Sequence, residues 1–276
     1  MGRTRAVALL LVLGLCAGVR AQSGVAAPAP TGESAQKPYI PIRPLNPGQN
    51  PDIAAGEGNP VLDVIDAPTA AALDQGSFYS RSRFYSSGGL LQYLSFGVID
   101  GLNIGASLSM DNLVGRQSPI RVRAPEAQIK YRFYDGGRFV PAMAVGYDGQ
   151  GYDYDQVTKN YNENRRGIYW VASQELGIPG LEVHPSVNLS DFNSNSFGGS
   201  IPLTYTYRDR VAGMIEWDNI NSLMAQSRLN VGVRFFVTPS LDIDFAVRGI
   251  GQRGRFPDGT HRGTERVIQL VYTGSF

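Results

Sequence analysis

Residues 126–134 read EAQIKYRFY, a stretch in which polar and apolar side chains alternate. Successive side chains of a β-strand point to opposite faces of a sheet, so this stretch gives one apolar and one polar face. Residues 102–110 (LNIGASLSM) and 241–249 (LDIDFAVRG) repeat the same period. High contents of Gly, Tyr and Phe, with only 18% charged residues, also favour strands. The sequence therefore predicts an all-β fold.

The two-residue period predicts twelve strands, although weak alternation in the second, fifth and sixth leaves ten or fourteen open. The predicted strands are residues 77–85, 90–99, 102–114, 126–135, 140–149, 167–176, 181–190, 199–207, 211–219, 228–238, 241–251 and 265–276. Short connections such as Asp100-Gly101 and Pro239-Ser240 alternate with long ones, with one exception, the short SSGG link after the first strand. Tight turns at one end, long loops at the other and an even strand number are typical of Gram-negative outer-membrane barrels. We therefore predict an antiparallel up-and-down transmembrane β-barrel.

A secreted β-sandwich is the rival architecture, because its strands alternate in the same way. It accounts neither for the asymmetry of turns and loops nor for the last strand, which ends VIQLVYTGSF (267–276). Pairing of that strand with the first would close the sheet and leave no exposed edge. One face of it carries side chains that we expect to meet lipid and to act as the insertion signal for the barrel-assembly machinery: Ile268, Leu270, Tyr272 and Phe276.

The residues before the first predicted strand divide into three parts. Residues 1–21 combine early arginines with an apolar run that is too short for a membrane helix, which predicts a secretory signal peptide. Residues 22–60 hold eight of the seventeen prolines and predict an extended periplasmic linker. Residues 61–75 predict a short periplasmic segment leading into the barrel, either as a short helix or as a plug. The barrel itself is predicted over residues 76–276.

Composition excludes several classes of protein. The chain has 25 basic and 24 acidic residues, so no overall positive field favours nucleic acid as a partner. The one cysteine, Cys16, lies in the predicted signal peptide, so we expect no disulfide in the mature protein. Elsewhere the chain lacks the long apolar stretch that a helical membrane protein needs. We expect location in the bacterial outer membrane, with the N-terminal linker in the periplasm.

The inward faces of the predicted strands carry charges of both signs. They are Arg81, Arg83, Glu126, Lys130, Arg132, Glu182, Glu216, Asp218, Arg234, Asp242, Asp244 and Arg248. Unpaired charges in a narrow lumen are costly, so the simplest interpretation is a network of pairs across the barrel. A conduit for a polar or anionic solute is the alternative, because a twelve-stranded barrel is wide enough for a narrow aqueous channel.

Two local patterns resemble chemical sites without meeting their requirements. Alternation places His184 and Ser186 on one inward face, but a lipid hydrolase needs such a pair to face outward. The loop after the fifth strand clusters residue types that bind calcium or stack on sugar rings, without the spacing of an EF-hand. They are Tyr147, Asp148, Tyr152, Asp153, Tyr154, Asp155 and Tyr161. We therefore expect no catalysis, no cofactor and no metal.

Several motifs resemble the YjbH-like outer-membrane barrel proteins. They are IDAPTAAALDQGSFYSRSRFY (65–85), GLNIGASLSMDNLVG (101–115), PEAQIKYRFYDGG (125–137), PAMAVGYDGQGY (141–152) and RRGIYWVASQEL (165–176). The resemblance implies a part in exopolysaccharide export or surface assembly, with outer-membrane lipid, polysaccharide and periplasmic export proteins as partners. The residues themselves leave two alternatives, a porin-like channel for small polar solutes and a structural outer-membrane barrel.

Overall fold

The computed structural model describes residues 60–115, 119–137, 139–155, 160–163, 166–190, 197–220, 227–255 and 263–276. The predicted signal peptide (1–21) and linker residues 22–59 lie outside them. The described strands are β1 Ser77–Tyr85, β2 Gly89–Ile99, β3 Leu102–Asp111, β4 Arg121–Val122, β5 Glu126–Tyr134, β6 Ala142–Asp148, β7 Tyr152–Asp155, β8 Asn160–Glu163, β9 Gly167–Glu175, β10 Leu181–Val183, β11 Ser186–Ser190, β12 Gly198–Tyr207, β13 Val211–Ile220, β14 Arg228–Thr238, β15 Leu241–Ile250 and β16 Glu265–Ser275. The described part of the chain has no helix that is both long and apolar enough to cross a membrane.

Twelve strand positions close into one antiparallel barrel. The first strand pairs with the last, from Ser77 opposite Ser275 to Phe84 opposite Ile268. β10 and β11 share one position between β9 and β12, interrupted at Pro185 because proline has no NH to donate to the ladder. β4 extends the edge of β3, and β7 and β8 form a separate hairpin within a long loop. The prediction of an all-β, up-and-down barrel is confirmed.

Short turns lie at one end of the barrel, termed the turn end. The long connections lie at the other, termed the loop end, together with one short link, the 3-10 turn Ser86–Gly88 between β1 and β2. Gly101 follows β2 with a φ of 77°, and Arg208 and Asp209 follow β12 with a φ of 51° each, which allows both turns to be tight. Asn112 has a φ of 58°, so β3 ends at Asp111, three residues before the predicted end. Strand boundaries otherwise agree closely with the predicted ones.

The outer face of the barrel is an apolar belt. Ile215, Trp217 and Phe245 are 48%, 52% and 50% exposed, and the predicted insertion residues Ile268, Leu270 and Tyr272 share this outward orientation. At the turn end, Phe276 lies 5.4 Å from Phe78 and 6.1 Å from Phe96 between ring centroids, as in the aromatic girdles of membrane barrels. A continuous apolar surface of this extent is solvated by lipid rather than water. The fold and this belt point to the outer membrane.

Residues 61–75, termed the luminal hairpin, fill the inside of the barrel. The chain turns back on itself through hydrogen bonds from Val64 N to Ala67 O (2.9 Å) and from Thr69 N to Leu62 O (3.0 Å). Its tip, Ile65-Asp66, lies toward the loop end beside Arg83. The first limb (residues 61–63) leads to this tip, and the return limb (residues 68–75) runs back to the turn end, where Gly76 N donates to Gly97 O (2.9 Å). The sequence leaves a short helix or a plug open for this segment. The structure describes a non-helical hairpin that lies inside the barrel, as a plug does, rather than a segment in the periplasm.

Candidate functional site

The tip of the luminal hairpin is held by a single carboxylate of β13. Glu216 Oε2 accepts hydrogen bonds from the main-chain NH groups of Ile65 (3.2 Å), Asp66 (2.9 Å) and Ala67 (2.8 Å). Its other oxygen, Oε1, accepts a bond from the Asn230 amide (2.7 Å). A tight turn leaves such NH groups without main-chain partners, and a carboxyl oxygen from the wall satisfies them. Glu216 therefore fixes the position of the turn.

The Asp66 side chain is surrounded by three arginines of the barrel wall. Asp66 Oδ1 lies 2.6 Å from Arg83 Nη1, and Oδ2 lies 2.9 Å from both Arg228 Nη2 and Arg248 Nε. Burial alone raises the pKa of Asp66, but attraction to Arg248, Arg83 and Arg228 outweighs burial and holds the pKa well below its ordinary value. The hairpin tip therefore carries a carboxylate that stays ionised.

The limbs of the hairpin are held by side chains from several strands. Arg81 pairs with Asp63 (2.9 Å), and Lys130 Nζ donates to the carbonyls of Leu62 (2.9 Å) and Ala71 (3.3 Å). On the return limb, the Leu73 NH donates to Asn103 Oδ1 (3.0 Å). Bonds of this kind satisfy hairpin groups that would otherwise be buried without partners.

Apolar contacts complete the packing of the hairpin. Inward-facing residues of the wall form three buried clusters with it. The first joins Val64 and Ile65 to Met214, Ala246 and Val267; the second joins Ala70 to Ala142, Ala144, Tyr169 and Val171; the third joins Leu62 and Leu73 to Tyr79 and Val271. Small inward residues opposite the hairpin leave the space that it occupies. This lumen is thus shaped around a polypeptide segment.

A second hairpin, β7–β8, covers the lumen from the loop end. Tyr152 OH accepts a hydrogen bond from Arg83 Nη1 (2.9 Å), and the guanidinium carbons of Arg83 and Arg248 lie 4.7 Å and 4.5 Å from the centre of the Tyr152 ring. Tyr161 of β8 packs edge-on against Tyr154 at 5.2 Å. The side chains of Asp153 and Asp155 lie outside the described part. The arginines that hold the luminal hairpin therefore also contact the loop hairpin.

Two of the cavities beside the two hairpins are small. One, of about 50 Å³, lies beside the first limb and is lined by Asp63, Arg81, Tyr93, Lys130 and Asp148 among others. The other, of about 20 Å³, lies at the loop end among Tyr85, Tyr152, Tyr154 and Tyr161. Each has the size of a few water molecules at most. In the described residues the lumen is therefore occupied rather than open.

His184 serves the return limb of the hairpin. Its Nδ1 lies 2.8 Å from Ser173 Oγ, and Ser173 Oγ accepts the hydrogen bond of the Ala70 NH (2.8 Å). Ser186 bonds instead to Ser200 Oγ (2.6 Å). The His184 and Ser186 side chains are buried inside the barrel and bond to different partners, so they do not form the pair that a lipid hydrolase needs.

Three carboxylates, those of Asp66, Glu216 and Asp218, have oxygen atoms within 4.8 Å of one another. Their surroundings favour anchoring of the hairpin over binding of a cation. Glu216 already accepts main-chain NH groups and Asp66 already accepts arginine donors, while Asp218 lies 2.7 Å from Arg228. Positive groups at these distances oppose a metal ion.

The predicted luminal charges fall into two groups. Those buried inside the barrel are Arg81, Arg83, Lys130, Glu216, Asp218, Arg234, Asp242, Asp244 and Arg248. The half-buried ones are Glu126, Arg132 and Glu182. Glu126 lies 3.4 Å from Tyr161 OH, Arg132 pairs with Asp135 (2.9 Å), and Glu182 lies 3.6 Å from His184 Nε2. Sequence reasoning missed Asp63, Asp66 and Arg228, although Arg228 shares the inward parity of Arg234 on β14.

Comparisons with known proteins show similarity of fold. No protein-family model matches the chain and no curated protein matches it, so no such match supports the resemblance to the YjbH-like proteins. Among solved structures, a KdgM porin is similar with a TM-score of 0.46 and 12% identity, over 72% of this chain and 99% of that one. An outer membrane channel from Pseudomonas putida F1 gives 0.41 and 12%, over 76% and 100%. A NanC porin gives 0.35 and 11%, over 72% and 99%. At these identities the likeness concerns the fold alone.

Proposed function

We propose that this protein is a non-enzymatic outer-membrane channel for small polar solutes, and that the luminal hairpin is its gate. The observation that carries the proposal is the way the hairpin is attached. In the described part of the chain, hydrogen bonds between two main-chain groups of residues 62–73 stay within the hairpin. The wall holds this segment through its side chains. The hairpin can therefore leave the lumen while the hydrogen-bonded ladder of the barrel stays intact.

The charges of the wall indicate what the open lumen would prefer. When the hairpin leaves, Arg81 and Arg83 lose the carboxylates of Asp63 and Asp66. Arg234 keeps Asp244 at 2.7 Å, so part of the wall remains paired. The net effect is a gain of positive potential inside the barrel, which favours anions over cations.

Export of a polysaccharide is a second candidate, supported by the resemblance to the YjbH-like proteins. Four tyrosines around the cavity at the loop end, Tyr85, Tyr152, Tyr154 and Tyr161, are of the type that stacks on sugar rings. No family model and no curated protein supports that resemblance. We therefore rank this function behind the channel for small solutes.

The test is planar-bilayer conductance of residues 22–276 compared with the same protein lacking residues 61–75. We expect the first protein to be closed most of the time and the deletion variant to give steady channels that prefer anions. A deletion of equal length in the linker, residues 28–42, is the matched control and should stay closed. Silence from a deletion variant that is shown to be inserted would contradict the channel function, and equal conductance of all three proteins would contradict the gate.

A further inference from the structure

We infer that the three arginines around Asp66 form a binding site for the carboxylate of a solute, and that Asp66 occupies this site in the closed state. The inference rests on the proposed channel function and specifies the solute and how it acts on the gate. Asp66 is then an internal competitor of the solute, so that binding of a carboxylate at Arg83, Arg228 and Arg248 favours release of the hairpin.

The geometry of the cluster is that of a site for an oxyanion. Both oxygens of Asp66 are engaged, Oδ1 by Arg83 at 2.6 Å and Oδ2 by Arg228 and Arg248 at 2.9 Å each. The three arginine side chains are 0%, 5% and 4% exposed. Guanidinium groups are the usual protein partners of planar carboxylates, because their NH groups match the two oxygens.

The cluster also has donors to spare. Arg83 Nε and Nη2 are buried and have no hydrogen-bond partner in the described part of the chain, even with Asp66 in place. A buried guanidinium donor without an acceptor is costly, so an anchoring role alone leaves these two groups unexplained. A solute carboxylate that is not constrained by the hairpin backbone is free to approach Arg83 through both of these nitrogens.

The site lies where a solute from the loop end would first meet the gate. Tyr152 covers Arg83 and Arg248 from the loop end, and the hairpin tip lies on the other side of the same arginines. A solute that passes β7–β8 therefore reaches the arginines before it reaches the limbs of the hairpin. Displacement of Asp66 removes the charge pairs of the tip and leaves the main-chain bonds to Glu216, so the tip is loosened first.

The test is calorimetric titration of the detergent-solubilised protein, residues 22–276, with D-glucuronate at constant ionic strength set by chloride. Glucose is the matched probe without a carboxylate, and inorganic phosphate is the probe for a different oxyanion. We expect Asp66→Ala to bind glucuronate at least tenfold more tightly than the unmodified protein and not to bind glucose. Adding Arg83→Gln should remove at least tenfold of that affinity, whereas adding Arg132→Gln, at the Asp135 pair near the turn end, should not.

Equal binding of glucuronate to Asp66→Ala and to the unmodified protein, or equal binding of glucose, would overturn the inference. Binding of phosphate without glucuronate would overturn the assignment to carboxylates. Heat-modifiable migration in gels and far-UV circular dichroism establish that each variant is a folded barrel. The titration does not require a conducting channel, so its result is independent of the conductance test. Glucuronate binding can be absent although deletion of the hairpin opens a channel, and it can be present although no channel opens.

Discussion

The Arg83 guanidinium lies 2.6 Å from the Asp66 carboxylate and joins the first strand of the barrel to the tip of the segment that fills it. Both side chains are buried, with 0% and 1% exposed. A buried pair of this kind holds its partners in register, and removing one partner leaves the other charge uncompensated. The position of the hairpin tip in the lumen therefore depends in part on this pair.

Acid should weaken the ion pairs of Asp66 only at low pH. The pKa of Asp66 is well below its ordinary value, so its ion pairs stabilise the closed state fully above the unfolded pKa, about 3.9. This stabilisation is lost as the pH falls below that value toward the pKa of the folded state. We expect the contribution of Asp66 to the open probability in bilayers to stay constant between about pH 5 and pH 8. Asp66→Asn should remove the acid-induced component, and an Asp66-dependent rise near neutral pH would contradict the assignment.

Glu216 should be the residue whose loss opens the gate most. Glu216→Ala leaves the NH groups of Ile65, Asp66 and Ala67 without their acceptor inside the barrel. We expect the closed state to lose about 2 kcal/mol or more, which is roughly a thirtyfold shift toward open. Glu216→Gln is the matched variant, because its amide oxygen still accepts, and it should fall between. Open probability and protease cleavage within residues 61–75 are the measurements; an unchanged Glu216→Ala would show that the tip does not hold the hairpin.

The barrel was predictable because its determinants are local. Alternation in EAQIKYRFY and the contrast of short and long connections depend on neighbouring residues, and both survive into the structure. The pairing of Asp66 with Arg83 and Arg248 was not, because these partners are 17 and 182 residues away in sequence. Which of several inward arginines meets a given carboxylate depends on strand register and on the path of the hairpin.

The occupied lumen did leave a signal in the sequence. On β16, Val267 and Val271 point inward and are buried, while Ile268 and Leu270 point outward to lipid. A water-filled lumen needs polar inward residues, so apolar residues on both faces of one strand indicate an occupant inside the barrel. The two-residue period alone does not show whether the inward face is polar enough for water. A prediction from the period therefore puts residues 61–75 at the mouth of the barrel instead of within it.

A methyl group at Gly97 should disturb the base of the hairpin. A Cβ atom there would lie 2.1 Å from the carbonyl oxygen of Asp74, and a main-chain atom cannot move aside without shifting the return limb. Overpacking of this kind typically costs about 1–3 kcal/mol. Gly97→Ala should therefore raise the open probability of the channel. Gly213→Ala is the control, because nothing lies within 4 Å of its added Cβ. Equal open probabilities of the two variants would mean that the contact of Gly97 with Asp74 does not hold the base of the hairpin.

A charge on the lipid face should impair the barrel itself rather than the gate. Ile215 is 48% exposed near the middle of β13, where arginine at the bilayer midplane costs about 2–4 kcal/mol. We expect Ile215→Arg to lower the midpoint of heat or urea unfolding in lipid, and Ile215→Leu to have little effect. Equal stability of the two variants would mean that this face of β13 does not meet lipid.

A disulfide between hairpin and wall should hold the gate closed. The Ala70 NH lies 2.8 Å from Ser173 Oγ, so the two residues are neighbours, and residues 22–276 contain no natural cysteine. Ala70→Cys/Ser173→Cys in the Glu216→Ala background should conduct when reduced and close when oxidised, because the cross-link restores attachment of the return limb. Each single cysteine variant should conduct under both conditions. Mass spectrometry establishes the bond, and a cross-linked protein that conducts as well as the reduced one would show that solute does not pass through the space that the hairpin occupies.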